Sequence, residues 1–383
     1  MRRKFLLCFI LLAAHLAAHA AGRDCDAVMR ATILAPASPQ SNSIVLDCSL
    51  LLNPADVVTK QLVFRGAESS GITLDCNGAT LASDPGSVSA TRIKVVSSPP
   101  RDRSEEGKWV PAENILIKRC VIQGAVMVSG MAINGEDKSL TSSSRRQVHT
   151  ERVRGNAPRG IVFSGNQFIG NGSIPIYFSP GVHDSMILDS KIGGFSRSVA
   201  IYLDAESGDN TIQGNQIETE TTLPQSATNK VRNLFYDLFN QARGASNAPS
   251  LTGRELLAID GSARNRIVGN RFSNLDNGGI FLYRNCGEGG NIRHQTPHGN
   301  QIVDNVFYYA KFDGRIPAIW LGSRNGNRSY CDLDHGYPLG SSHSDLDFAT
   351  DNIVSRNRFY KFEPNKIIRD DSGGNRLEDN QRL

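Results

Sequence analysis

The sequence predicts an all-β chain, a single-domain right-handed parallel β-helix whose loop insertions form one groove. Three observations carry this. The phrase Asn-x-apolar-x-x-Asn returns at Asn210/Asn215, Asn265/Asn270, Asn300/Asn305, Asn352/Asn357 and Asn375/Asn380, after a degenerate Ser185/Ser190 copy. Two residues beyond the second Asn or Ser stands Ile192, Ile217, Phe272, Phe307 or Phe359, an apolar residue with a fixed place in the repeat. Copies without an intervening insertion lie 23 to 25 residues apart, the length of one solenoid coil that buries its apolar side only against its neighbours. The 36 glycines and 7% aromatic content fit short strands and tight turns better than a compact α/β core.

The first twenty residues read as a secretory signal. Arg2, Arg3 and Lys4 precede an apolar run from Phe5 to Leu16, and Ala18-His19-Ala20 forms a small-residue cleavage box. The expected mature chain, 21–383, is therefore periplasmic or secreted, with no membrane anchor after cleavage. Losing three cations lowers the formal charge of +4 to about +1, which argues against a nucleic-acid partner. Any attraction for an acidic partner has to be local.

Residues 21–80 are expected to form the N-terminal cap and first strands: Ser43–Asp47, Gln61–Phe64 and Gly71–Asp75 alternate between Gly, Pro and Asp turns. Segments 97–108 and 136–146 are polar and aperiodic and read as loops. Regular coils follow, with branched residues inward and Asn at the corners, where its amide stacks and where it tolerates left-handed backbone. Three insertions, 220–253, 286–299 and 322–351, are expected to line the groove. Helical spacing of apolar residues at 231–240 predicts a short helix in the first.

The six cysteines left after cleavage favour disulfides in an exported chain. Of the 15 connectivities, the simplest joins sequence neighbours, and Cys286–Cys331 would pin two long loops. The alternative for Cys120 is plain burial in the place that Asn holds later.

If Ile176, Ile201, Leu257, Ile280 and Ile319 point inward, then Tyr177, Tyr202, Ala258, Phe281 and Trp320 stack outward. Two positions on, Asp204, Asp260 and Tyr283 share a column. The aromatic stripe suits sugar faces; packing under the 220–253 insertion is the competing use. Asp204 and Asp260, one coil apart, suit a glycosidase acid or a Ca²⁺ site. Tyr283, Arg284, Arg293 and His294 suit proton abstraction beside a neutralised uronate carboxylate. Glu206, Glu288 and Arg324 complete the expected substrate-binding set. The acidic, His-bearing stretches 332–335 and 343–347 match no defined metal signature and read as solvated loop, with a divalent ion as the alternative.

The coils NTIQGNQI, NRIVGNRF, NQIVDNVF and NIVSRNRF, from Asn210, Asn265, Asn300 and Asn352, resemble the pectin-lyase-like superfamily, within it the carbohydrate-binding and sugar-hydrolase repeat group. The resemblance runs from about residue 70 to the end. It implies a right-handed parallel β-helix and a glycan partner, in a group that holds lyases, hydrolases, epimerases and non-catalytic surface proteins. The epimerase Asp-Pro-His-Asp motif is absent, as are the galacturonan hydrolase motifs in order. The Lys expected of Ca²⁺-assisted lyases is missing from the 258–262 segment, and Arg293-His294-Gln295 only partly matches their Arg-His-Gly. The reading is an exported polysaccharide-active enzyme acting on an acidic glycan, with uronate β-elimination first. Glycoside hydrolysis through paired carboxylates and a non-catalytic glycan-binding envelope protein are the alternatives. Ca²⁺ is the one cofactor considered.

Overall fold

The computed structural model describes residues 23–82, 91–100, 107–131, 138–221, 253–309 and 316–383. The signal segment 1–20 and the helix expected at 231–240 lie outside the described residues. Each coil gives one short strand to each of three parallel ten-stranded sheets, as the Asn repeat predicts. The first sheet runs from Ser43–Val45 to Ile368–Asp370, the second from Leu50–Leu51 to Arg376–Glu378, and the third from Val57–Val58 to Gln381–Arg382.

The register follows from what each corner must satisfy. One Asn column lies before the second sheet and the other between the second and third. The backbone N–H of Asn215 donates to Asn270 Oδ1 (2.9 Å), and that of Asn270 donates to Asn305 Oδ1 (2.9 Å). Each amide also donates backwards, Asn270 Nδ2 to the Ile212 carbonyl and Asn305 Nδ2 to that of Ile267, both 2.8 Å. These side chains are buried, so the bonds meet backbone demands that water cannot reach. Left-handed backbone, expected at the Asn itself, belongs to the residue just before it: Asp209, Arg264, Gly269, Asp304 and Arg356 all have φ between 53° and 66°. The correction has a physical basis, since the corner turn must be complete before the amide can aim along the stack. Exposed corner residues pair across coils, Arg264 with Asp209 and Arg356 with Asp304.

The interior is a continuous apolar column. Phe272, Phe307 and Phe359 stack at 5.0 Å between centroids, nearly parallel. At the N-terminal end, helix Ala27–Leu34, capped by the Asp26 carboxylate accepting from Met29 N–H, lays Ile33 on the column. The three sequence-neighbour disulfides are present: Cys25–Cys48, Cys76–Cys120 and Cys286–Cys331. Cys120 also occupies the Asn column, its N–H donating to Asn166 Oδ1.

Part of the segment read as an aperiodic loop is helical. Lys138–Ser144 and His149–Gly155 are short helices that bury Leu140 and Val153 with Met131. So few apolar residues per helix leave no detectable period. The acidic stretch is likewise not simply solvated, because Asp334 and Asp347 are buried. Asp347 accepts the backbone N–H groups of Arg284, Arg324 and Asn325, each at 2.9 Å.

Asn270→Ala is expected to destabilise the protein by roughly 2–5 kcal/mol, because it strands the Asn215 N–H and the Ile212 carbonyl in the interior. Asn380→Ala, in the last coil, should cost less. Equal losses in calorimetric midpoint for the two variants would contradict the ladder account.

Candidate functional site

The outer stripe of the first sheet is in the expected register: Tyr177 beside Tyr202, then Ala258, Phe281 and Trp320. Its members differ in exposure. Ala258 and Phe281 are buried with Val199 and Tyr283, whereas Tyr177, Tyr202 and Trp320 are partly exposed. Partly exposed rings and a small apolar cluster thus share one stripe. Trp320 Nε1–H donates to Asp371, and Arg369 stacks on its ring at 4.5 Å.

Just past these strands lies a buried acidic cluster. The Tyr177 hydroxyl donates to Asp204 Oδ2, and the Tyr202 hydroxyl donates to Asp260 Oδ2 at 2.6 Å. Asp204 and Asp260 occupy equivalent places on adjacent coils, one residue beyond the paired Leu203 and Ile259. Arg293, itself 2% exposed, reaches Asp204 Oδ1 at 3.5 Å and Glu288 Oε2 at 3.1 Å. Glu288 is the accessible carboxylate of the group, its side chain 38% exposed.

Asn285 stitches the cluster together and was missed in the sequence. Its N–H donates to Asp260 Oδ1 (2.8 Å), and its amide nitrogen lies 2.7 Å from Asp260 Oδ2 and 2.8 Å from Glu288 Oε2. Its oxygen accepts from the Tyr330 hydroxyl at 3.0 Å. The signal was present: alternation from Phe281 through Tyr283 reaches Asn285, but the neighbouring Arg284 drew the chemistry.

The remaining candidates are held elsewhere. Tyr283 is buried, bonded to Glu255 and Arg254, with the Arg324 guanidinium 3.6 Å over its ring. Burial opposes ionisation of Glu255, but Arg254 overrides it and holds the carboxyl down at about 2. Arg284 donates to the carbonyls of Ser344 and Leu346, pinning the last insertion. Glu206 accepts the N–H groups of His294 and Gln295. His294 Nε2 lies 2.6 Å from the Ser144 carbonyl, and its ring is 5.0 Å from His149, which burial pushes down to about 4. Tyr283, Arg284 and His294 are therefore three separate anchors, whereas Tyr177, Tyr202, Asp204, Asp260, Glu288 and Arg293 meet.

The electrostatics of that group favour a held proton. Burial raises the Asp204 carboxyl to about 6 against the opposing pull of Arg293, with Asp260 adding to the rise. Burial lifts Asp260 too, again opposed by Arg293. Both phenols are pushed well up, first by burial and then by the carboxylate each one faces, and stay protonated. The Asp204 carboxyl therefore keeps its proton to about pH 6, well above the range of a free aspartate.

A carboxyl midpoint near pH 6 is expected for Asp204 in a carbon-detected NMR titration. Its folded value lies above the 3.8 of an unperturbed aspartate. Its stabilising contribution is therefore complete below that value and lost as pH rises through about 6. Asp204→Asn should remove that slope from the stability–pH curve; a midpoint near 4 would refute the held proton.

Neither a family model nor a curated protein matches the chain. Among solved structures, the chain is similar to a periplasmic alginate epimerase (10% identity, TM-score 0.36, 95% of this chain and 90% of that one). It is similar to a polysaccharide lyase from Pseudopedobacter saltans (12% identity, TM-score 0.31, 90% and 83%). A tailspike protein of an Escherichia coli bacteriophage also matches (9% identity, TM-score 0.31, 83% of this chain), and the chain spans about a third of its length (32%). Similarity at this level carries neither substrate nor chemistry. The chain's own three parallel ladders make it a parallel β-helix, the architecture that its Asn repeat resembles.

Proposed function

We propose that this chain is an exported, polysaccharide-active enzyme that cleaves glycosidic bonds by acid–base chemistry at the Asp204–Asp260 pair. The observation that supports it most is the Tyr177–Asp204 and Tyr202–Asp260 pairing beside Arg293, a buried carboxylate pair in which burial raises both acids, Asp204 to about 6. A glycan lies along the partly exposed Tyr177, Tyr202 and Trp320, with its scissile oxygen towards the carboxyl cluster. Asp204 gives a proton to the leaving oxygen, Asp260 or Glu288 assists the attacking water, and Arg293 limits the charge that builds up. We rank hydrolysis ahead of the β-elimination expected from sequence, a choice supported by the bonds that Tyr283, Arg284 and His294 make to other partners.

Elimination on a uronate is the second reading, and Arg324 favours it. Its guanidinium lies over the Tyr283 ring and donates to the Tyr330 phenol, a cation that suits a substrate acid group. An acidic glycan fits that cation. Three disulfides suit an oxidising compartment, and among the described residues no helix is long and apolar enough to cross a membrane.

The test is turnover on acidic and neutral polysaccharides, following new reducing ends and the ultraviolet absorbance of unsaturated sugars together. Reducing ends alone are expected, with kcat lowered at least about 100-fold in Asp204→Asn and KM little changed. Both signals rising would establish elimination instead. Binding without turnover would leave a glycan-binding protein.

A further inference from the structure

We propose that Asp334, His335 and Asp345 form a binding site for a divalent ion of the Zn²⁺ or Mn²⁺ type that clamps the wall of the groove. One ligand atom from each of the three lies within 4.8 Å of the others, and His335 Nε2 is 3.7 Å from Asp345 Oδ1. Proximity alone would describe any acidic loop. The distinguishing fact is an unmet demand: Asp334 is 3% exposed, yet its Oδ1 has no hydrogen-bond partner, and the buried Oδ1 of Asp345 has none either. The other oxygen of Asp334 is fully engaged, accepting from the Ser341 hydroxyl and from the Gly287 N–H at 3.2 Å. Asp347 provides the contrast. It is equally buried, but both of its oxygens accept backbone N–H bonds, as expected of an acid that only shapes a loop.

Buried anionic oxygens without donors are costly, and a cation between them removes the cost. The backbone is shaped for close approach: a Cβ on Gly326, where φ is +77°, would lie 2.9 Å from the Asp345 Cβ. Ligands about 2.0–2.2 Å from an ion stand roughly 3.0–4.2 Å apart, so the three donors need to draw in only slightly. An imidazole with two carboxylates suits a first-row divalent ion, whereas Ca²⁺ requires six to eight oxygens. Exposed Asp332, 3.8 Å from His335 Nε2, is at hand as a further ligand. The neighbouring Cys286 and Cys331 are joined to each other and offer no thiolate. Because Asp334 also holds Gly287, the ion would fix the turn that carries Asn285 and Glu288.

The disulfide-bonded protein, stripped with a chelator, is titrated calorimetrically with Zn²⁺, Mn²⁺ and Ca²⁺. One Zn²⁺ or Mn²⁺ per chain is expected, with a rise in melting temperature. The double variant His335→Ala, Asp345→Asn, which alters partly exposed side chains, should bind at least about tenfold more weakly and lose that rise. Unchanged binding in the variant, uptake of Ca²⁺ alone, no uptake, or uptake only after reduction of Cys286–Cys331 would overturn the assignment.

Discussion

The buried backbone at the corners of each coil is the constraint from which the rest follows. A solenoid of three short strands turns sharply inside its own hydrophobic column, and every turn leaves polar groups where solvent cannot serve them. The stacked Asn amides solve this from one coil to the next: Asn270 accepts from the preceding corner and donates to a carbonyl further back, and Asn305 repeats the pattern. Register is thereby fixed to the residue. A slip of one would turn every strand over and put the apolar column outside.

That fixed register builds the outer face. Tyr177 stands beside Tyr202, and the same stacking places Asp204 and Asp260 at equivalent points of adjacent coils. Two acids so close would repel in water. Here the phenols, the Asn285 amide and Arg293 hold them, and burial makes the retained proton the cheaper compromise. Local electrostatics, rather than the formal charge of +4, set the protonation of these two acids.

The coils, the inward column, the outward stripe and the disulfide pairs were legible in the sequence because each is a periodic or nearest-neighbour property. The carboxyl cluster was half legible: alternation found Asp204 and Asp260, while the loop positions of Arg293 and Glu288 gave only a shared neighbourhood. Tyr283 and Arg284 looked reactive because sequence reveals residue type but not the partner that already occupies it. Buried Glu255 and the carbonyls of Ser344 and Leu346 are such partners. The helices at Lys138–Ser144 and His149–Gly155 escaped for a related reason. Each buries a single large apolar side chain, Leu140 or Val153, too few to leave a period along the chain.

Asp204 and Asp260 are 56 positions apart in the chain yet neighbours in the stack. Their spacing comes from the distance between strands and owes nothing to the length of the segment joining them. Insertions and deletions there leave the separation of the two carboxyls unchanged. The coil thus sets the spacing of the two acids, while Arg293 and Glu288, which complete the cluster, come from a loop.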